Sequence, residues 1–414
     1  MKILFTCNGL LKGNGVRSAV LSLKSRLQDE GLEVKILSSI NDDNSDVQPD
    51  FPLGHFVFPI FEPIIATNGF RYAKIDKHTI RKAVEWADVV HIMEAFPLES
   101  AVVKIAKDLG KPCVGTFHLF TENITANLGM GEVALVNNLI NLWWRKATYN
   151  YCKSIQCPTR KVMDYLIRHG YSSDLRVISN GIDIPDSSDG DNIPQNKPWR
   201  IITVGRLANE KSQMTLIKAM RHSKHAADIE LYFAGKGPKE KEIKRAAYRL
   251  FEDGIVQYEP IFGYYDADRL KEILDTSYLY IHCATIEVEG LSCLEAIKEG
   301  VVPVIADAKL SATGQFALDD RSLFPAADPK ALAERIDWWI EHPEERRMMS
   351  LEYKESARKY DILDTTRKII GMYEEVMGNE KNYESRYPAD GRYLSYFLRC
   401  VKIRHELKLS YRRQ

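Results

Sequence analysis

The sequence predicts an α/β protein built from two consecutive doubly wound parallel sheets. Three observations carry that prediction. Short apolar runs alternate with helical stretches, the series of runs starts twice, and a polar, turn-rich segment separates the two series. The first series reads as buried strands at residues 3–6, 34–37, 89–92, 113–116, 154–157 and 177–178. The second occupies residues 201–204, 229–233, 256–258, 278–281, 302–305 and 323–324. Residues 186–198, dominated by Asp, Ser, Gly, Asn and Pro, form the linker. The first half is therefore residues 1–185, the second 199–375, and an extension fills 376–414.

Composition narrows the partners. A chain of 414 residues with 45% apolar content can bury two sizeable cores. Its 57 acidic and 57 basic residues cancel, so it has no overall field for nucleic acid, and no nucleic-acid partner is expected. The seven cysteines are scattered without a C-x-x-C pair and read as reduced core residues. The apolar start is too short for a signal peptide, and no run reaches the roughly 18 apolar residues that span a bilayer. The expectation is a cytoplasmic protein.

Sheets of this kind bind ligands beyond the carboxyl ends of their strands, in the cleft between the halves. Each candidate group follows a predicted strand. The first loop carries Gly13-x-Gly15-x-x-Ser18, where glycine lets backbone approach a ligand. It lacks the third glycine of the dinucleotide fingerprint, which leaves an NAD-dependent oxidoreductase as a remote alternative. His91 and Glu94, candidates for the acceptor side, stand at the end of the third run, and His118 follows the fourth. Glu122 and Asn123 come next, either facing the cleft or capping a helix.

The second half opens with Gly205-Arg206 and, five residues on, Lys211. Such cations reach one diphosphate together, Arg as a fork and Lys as a point charge. A Gly-rich turn fills 233–238, and the aromatics Phe262 and Tyr264 follow. After the run at 278–281 comes strand, loop, helix: Glu287, then Gly290, Leu291 and Ser292, then Glu295. The free amides of Gly290, Leu291 and Ser292 in a first helical turn suit a phosphate. Glu287 and Glu295, eight apart, would serve different parts of one ligand.

Two segments bear on membranes. Residues 132–146 are broadly apolar and carry Trp143 and Trp144 followed by Arg145 and Lys146. They read either as a helix packed on its own sheet or as a docking element at a lipid interface. Residues 391–414 hold seven Lys/Arg against one Glu, the pattern of an interfacial helix on anionic lipid or of a solvated terminal helix.

The G-R-x-x-x-x-K string at 205–211, the E-x7-E string from Glu287 to Glu295, and the turn Asn180-Gly181-Ile182-Asp183 resemble the signature of the retaining GT-B glycosyltransferases of family 4. The resemblance reaches about residue 375. It implies two Rossmann-like domains facing a central cleft, the first for the acceptor and the second for the nucleotide sugar, with 376–414 as crossover and basic extension. It further implies hexose transfer with retention from a nucleotide-diphosphate sugar, UDP-glucose or UDP-galactose first. Gly15, Arg206, Lys211, Gly290, Leu291 and Ser292 would hold the diphosphate, Glu295 the ribose, and Phe262 and Tyr264 the base region. His118 and Glu287 would act at the sugar, and Glu94, Glu122 and Asn123 on the acceptor side. No Asp-x-Asp string stands where a metal-dependent transferase needs one, so no metal and no cofactor are expected. The expected acceptor is a membrane lipid of diacylglycerol or ceramide type, met at the inner face of the plasma membrane, and the alternative is a surface polysaccharide or soluble glycan.

Overall fold

The computed structural model describes residues 1–11, 15–40, 47–57, 62, 71–127, 133–184 and 196–378. Gly13, most of the expected linker and the basic stretch 391–414 lie outside the described residues.

The first half carries β1 (Lys2–Thr6), β2 (Glu33–Ser39), β3 (Phe51–Leu53), β4 (His55–Phe56), β5 (Tyr72–Ala73), β6 (Val89–Ile92), β7 (Cys113–Thr116), β8 (Ser154–Cys157) and β9 (Asp174–Val177). Seven of these form a wholly parallel sheet in the order β3-β2-β1-β6-β7-β8-β9. The second half carries β10 (Trp199–Val204), β11 (Ile229–Ala234), β12 (Ile261–Gly263), β13 (Leu279–His282), β14 (Ile286–Glu287), β15 (Val302–Asp307), β16 (Leu310–Ser311) and β17 (Leu323–Pro325). Its main sheet, again parallel, runs β12-β11-β10-β13-β15-β17. Every residue of β6, β7, β8 and β13 is buried, as strands covered by helices on both faces must be.

One expected strand is displaced. Residues 256–258 form no strand, and the edge position belongs to β12. The reason lies in the preceding helix, Glu240–Glu252: the amides of Ile255 and Val256 both close its last turn by donating to the Leu250 carbonyl. Those donors are spent, and the chain pairs only after Pro260. Short β3 and the parallel pair β14-β16 were not legible as runs.

The helices that matter for the site are α1 (Gly15–Asp29), α2 (Lys77–Trp86), α3 (Pro97–Asp108), α4 (Thr121–Asn127), α5 (Ala134–Ala147) and α6 (Arg160–Arg168) in the first half. In the second they are α7 (Met214–Ala219), α8 (Glu240–Glu252), α9 (Ala267–Asp275), α10 (Leu291–Lys298), α11 (Pro329–Glu341), α12 (Pro343–Ser356) and α13 (Ile362–Val376). Asp361 caps α13 by accepting from the Leu363 amide at 2.9 Å. Although last in sequence, α13 packs into the core of the first half: Ile369, Met372 and Tyr373 share a cluster with Ile3, Phe5 and Val20. His91 is part of that seam. Its Nδ1 meets the Tyr373 hydroxyl at 2.7 Å and its Nε2 the Thr116 hydroxyl at 2.7 Å. Burial lowers its pKa to about 3. His91 is therefore corrected from an acceptor-side candidate to a structural tie, because both ring nitrogens are already committed.

Helix α5 buries two amide side chains and exposes apolar ones. It turns Asn137, Asn141 and Trp144 inward and leaves Leu135 70%, Leu139 57% and Trp143 41% exposed. The buried amides are satisfied: Asn137 accepts from the Thr125 hydroxyl at 2.7 Å, and Asn141 donates to the Tyr165 hydroxyl at 2.6 Å. The helix has no acidic residue and ends in Arg145 and Lys146.

Candidate active site

The loops after β10 and β13 build the charged side of the site and hold each other. The Thr285 amide donates to the Glu210 carbonyl at 2.8 Å, and the Gln213 side chain donates to the Arg206 carbonyl at 2.9 Å. This arrangement sets two ion pairs side by side, Arg206 with Glu210 and Lys211 with Glu287. Burial raises the pKa of Glu287, but Lys211, His282 and Arg206 outweigh it, so the net shift is downward and the group is a carboxylate at neutral pH. Charge rather than exposure decides its state.

Helix α10 begins immediately behind this pair. Gly290 holds its N-cap position at φ 91°, and a Cβ there would fall 2.5 Å from the Thr313 hydroxyl, so only glycine fits. No side chain caps the helix. The Leu291 and Ser292 amides therefore start an uncapped helix of positive dipole end. The Ser292 hydroxyl is committed to the scaffold, touching the Tyr280 hydroxyl at 2.9 Å and the Val204 carbonyl at 3.2 Å. Behind it His282, neutral because burial lowers its pKa to about 4, bridges Tyr280 at 3.2 Å and Thr313 at 3.1 Å. Glu295 lies one turn into α10, half-buried, with its pKa raised by burial.

The Gly-rich turn serves packing. Gly235 donates its amide to the Gly263 carbonyl at 2.7 Å, and a Cβ on it would lie 2.0 Å from the Gly205 carbonyl oxygen. The turn thus nests against the Arg206 loop. Phe262 stacks on Phe233 at 4.6 Å, inside the second half, whereas Tyr264 is 49% exposed with the Lys236 ammonium over its ring at 5.2 Å. Of these two, Tyr264 is the ring open to a ligand.

Across the cleft, Gly15 opens α1 with open space where a side chain would stand. His118 is half-buried, its pKa lowered to about 4 by burial, and its Nε2 is buried without a hydrogen-bond partner. Asn123 accepts from the Phe120 amide at 3.0 Å, so its side chain is at work starting α4, the second of the two roles expected for it. Glu122 takes the Tyr165 hydroxyl at 3.1 Å and lines a groove with Asn209, Glu210 and Thr285 of the second half. Glu94 is fully enclosed beside Glu99: Asn8 donates its amide to Glu94 at 2.7 Å and its side-chain nitrogen to Glu99 at 2.9 Å. Burial drives both carboxyls well up, and the Glu94 charge drives Glu99 further.

Glu289 lies two residues beyond Glu287 and crosses between the halves. It accepts from the Ser179 hydroxyl, from the Asn180 amide at 3.1 Å and from the Asn180 side chain at 2.7 Å. Burial raises its pKa to about 7 in spite of these donors. Glu210, His282, Glu289 and Trp144 went unnoticed in the sequence as site groups. Only Glu210 had a local signal, its i,i+4 spacing from Arg206.

Residues 13–185 match the family model "Glycosyltransferase Family 4" and residues 186–356 match "Glycosyl transferases group 1". Between them they take in both halves of the molecule. The chain is a GT-B glycosyltransferase of family 4. This glycosyltransferase is 24% identical over 325 residues, 73% of its length and 70% of the relative's, to the alpha-monoglucosyldiacylglycerol synthase of Streptococcus pneumoniae. A stretch covering 39% of it is 49% identical to 99% of the crystallised catalytic domain of a cholesterol-alpha-glucosyltransferase from Helicobacter pylori, with a TM-score of 0.37. Its fold follows that of the Anabaena protein HepE in complex with UDP-glucose, at TM-score 0.69, 15% identity, and coverage of 91% of this chain and 100% of the other. No helix among the described residues is long and apolar enough to cross a membrane.

Proposed function

We propose that this glycosyltransferase moves a hexose, glucose first and galactose second, from its UDP-sugar to a membrane lipid of diacylglycerol or ceramide type, with retention at the anomeric carbon and without a metal ion. The observation that carries the reading is the pairing of Lys211 with Glu287, within the field of Arg206, at the uncapped start of α10. An incoming diphosphate replaces Glu287 as the partner of Lys211 and takes up Arg206 and the Leu291 and Ser292 amides. These fixed charges then bear the negative charge that grows on the departing phosphate. Glu287, released, stays beside the sugar and favours the positive character of its anomeric carbon. Glu295 holds the ribose hydroxyls, Tyr264 offers a face to the base, and neutral His118 contacts the sugar. The acceptor's proton leaves with the departing phosphate oxygen, so no protein base is assigned.

Two observations support the lipid acceptor. The curated relative is named for a diacylglycerol product, and α5 exposes Leu135, Leu139 and Trp143 beside Arg145 and Lys146. Apolar side chains rimmed by cations suit the headgroup level of an anionic bilayer. The protein would then work as a peripheral enzyme on the cytoplasmic leaflet.

The test begins with thermal-shift binding of UDP, GDP, ADP and NAD to the wild type, Arg206→Ala and Glu295→Ala. Stabilisation by UDP alone, lost in both variants, is the expected result, and it leads to glucose transfer into diacylglycerol vesicles in the presence of a chelator. Stabilisation by NAD only would overturn the reading. Transfer to a soluble glycan but not to vesicles would move the acceptor to that class.

A further inference from the structure

Within the first half lies a small cavity of whose walls the transfer reading uses His118 alone. Its walls are Glu94, Ala95, His118, Leu119, Trp144 and Tyr149, and it has room for about one water molecule. Of these walls only His118 and Leu119 are not fully buried, so the opening is on the His118 side.

The polar groups of its lining residues are unusual in their state. Trp144 is 2% exposed, held between Phe96 and Phe117 at 6.1 Å each, and its indole Nε1 has no hydrogen-bond partner. An indole nitrogen can only donate, and buried donors without an acceptor are rare in folded proteins. His118 Nε2 is in the same condition. Glu94 spends one oxygen, Oε2, on both Asn8 donors, at 2.7 and 3.3 Å, and no bond is formed at the other. The Tyr149 hydroxyl is already committed to the Thr116 carbonyl at 3.0 Å and contributes only its ring. Glu99 stands behind Glu94, linked to it through the Asn8 side chain, from which it accepts at 2.9 Å, and it also accepts from the Phe96 amide at 3.0 Å. The residues that line the cavity thus carry one open acceptor and two open nitrogens.

That set matches an alcohol group, which donates once and accepts twice. We infer that Glu94, Trp144 and His118 form a hydroxyl-binding subsite, in which a substrate hydroxyl donates to the Glu94 carboxyl and accepts from the Trp144 indole. The inference rests on the transfer reading for the identity of the substrates. Two sources carry the same chemistry: a hydroxyl of the transferred hexose, or the alcohol of the acceptor. In either case Trp144 and Glu94 are specificity-determining residues, because a ligand lacking the hydroxyl leaves two buried groups unpaired. The Glu99 and Asn8 side chains hold Glu94 in position and do not touch the ligand.

The experiment follows the indole N–H resonance of Trp144 in protein labelled with 15N-tryptophan, assigned by its loss in Trp144→Phe, during additions of UDP, UDP-glucose and a short-chain diacylglycerol. Movement with UDP-glucose but not UDP identifies a sugar hydroxyl. Movement with the diacylglycerol alone identifies the acceptor alcohol. Kinetics provide the second readout. Trp144→Phe, which removes the N–H and keeps the ring, is expected to raise the KM of the matching substrate about tenfold with kcat little changed, and Glu94→Gln about as much. A sugar hydroxyl makes the loss visible in donor hydrolysis without acceptor, and an acceptor alcohol confines it to transfer. The subsite is overturned if UDP-glucose and the diacylglycerol both bind, by thermal shift, while the Trp144 resonance stays still and Trp144→Phe keeps both KM values. If UDP fails to bind at all, the transfer reading falls first and the subsite with it, a result distinct from binding without movement.

Discussion

The carboxylates of the two halves, Glu287 half-buried in the second and Glu94 with Glu99 buried in the first, behave in opposite ways. In the second half Glu287 is accompanied by Lys211, His282 and Arg206, and its pKa lies below the usual carboxylate value. In the first half Glu94 and Glu99 have only neutral donors, Asn8 and the Phe96 amide, and their values lie well above it. Desolvation is the largest influence in all three. What separates them is the presence of a cation within reach, since neutral hydrogen bonds do not offset the loss of water for a full charge. In the proposed reading the charged cluster exchanges one anion for another, and the neutral pair meets an uncharged group.

The largest expected effect comes from breaking the charged cluster. Lys211→Met should lower kcat/KM for UDP-glucose hydrolysis by about a hundred- to a thousandfold, comparable to the loss of one oxyanion donor. Steady-state rates on a variant of unchanged circular dichroism measure it, and a loss smaller than tenfold would refute the role. Next comes the pH dependence of the neutral pair. Glu94 and Glu99 have folded values above the unfolded value of 4.5, so the native state keeps protons that the unfolded chain releases. Their contribution is complete below about pH 4.5 and is lost as pH rises toward 8. Melting temperature should fall by roughly 5 °C between pH 5.5 and 8, and Glu94→Gln should flatten that slope. An unchanged slope in the variant would show that other groups set it. For Glu287, with its lowered value, the contribution is present above 4.5 and disappears only as pH falls further.

Glu289 sharpens the comparison by standing between the halves with neutral donors only. Its folded value of about 7 predicts the same sign as the Glu94 pair over a narrower window, from 4.5 to about 7. Glu289→Gln keeps acceptors for Ser179 and Asn180, so a melting change of about 1 kcal/mol or less at pH 5 is expected, growing into a gain above pH 7. The smallest effect on stability belongs to α5. Leu139→Glu with Trp143→Ser should alter unfolding free energy by no more than about 0.5 kcal/mol, because these side chains face solvent. Flotation with vesicles containing anionic lipid should nevertheless drop severalfold. Retained flotation would remove α5 from the membrane-facing surface.

Much of this molecule was readable in the chain. Strands at 89–92, 113–116 and 154–157 coincide with the folded ones because each is a short run buried on both faces, where period and length agree. The strand expected at 256–258 was misplaced because a helix end claimed its amides, and a tertiary claim of that kind leaves no mark on residue type. The motif cations and glutamates stood out by their spacing, but the pairing of Lys211 with Glu287, 76 residues away on another loop, left no local mark. Trp144 and Glu94 were not legible as partners: 50 residues separate them, and an indole in an apolar helix looks like core until its nitrogen is followed. Helix α5 was ambiguous for a related reason. Its Asn and Leu residues both recur at helical spacing, and only the structure decides which row faces inward.

Helix α13 makes the second half an insertion. The chain leaves the first half near Ile182, builds the second, and returns through Ile362, whose amide meets the Ile182 carbonyl at 2.9 Å while the Ile182 amide meets the Tyr360 carbonyl at 2.8 Å. Exit and re-entry are thus stapled together, like the two ends of a handle. A gene fragment ending at residue 185 would lack Ile369, Met372 and Tyr373 and leave a strip of its core bare, whereas one joining residues 1–182 directly to 361–378 would carry a whole core. The two lobes are therefore joined by a pair of hydrogen-bonded strands of chain rather than by a single tether, so cutting one crossing would still leave the other in place.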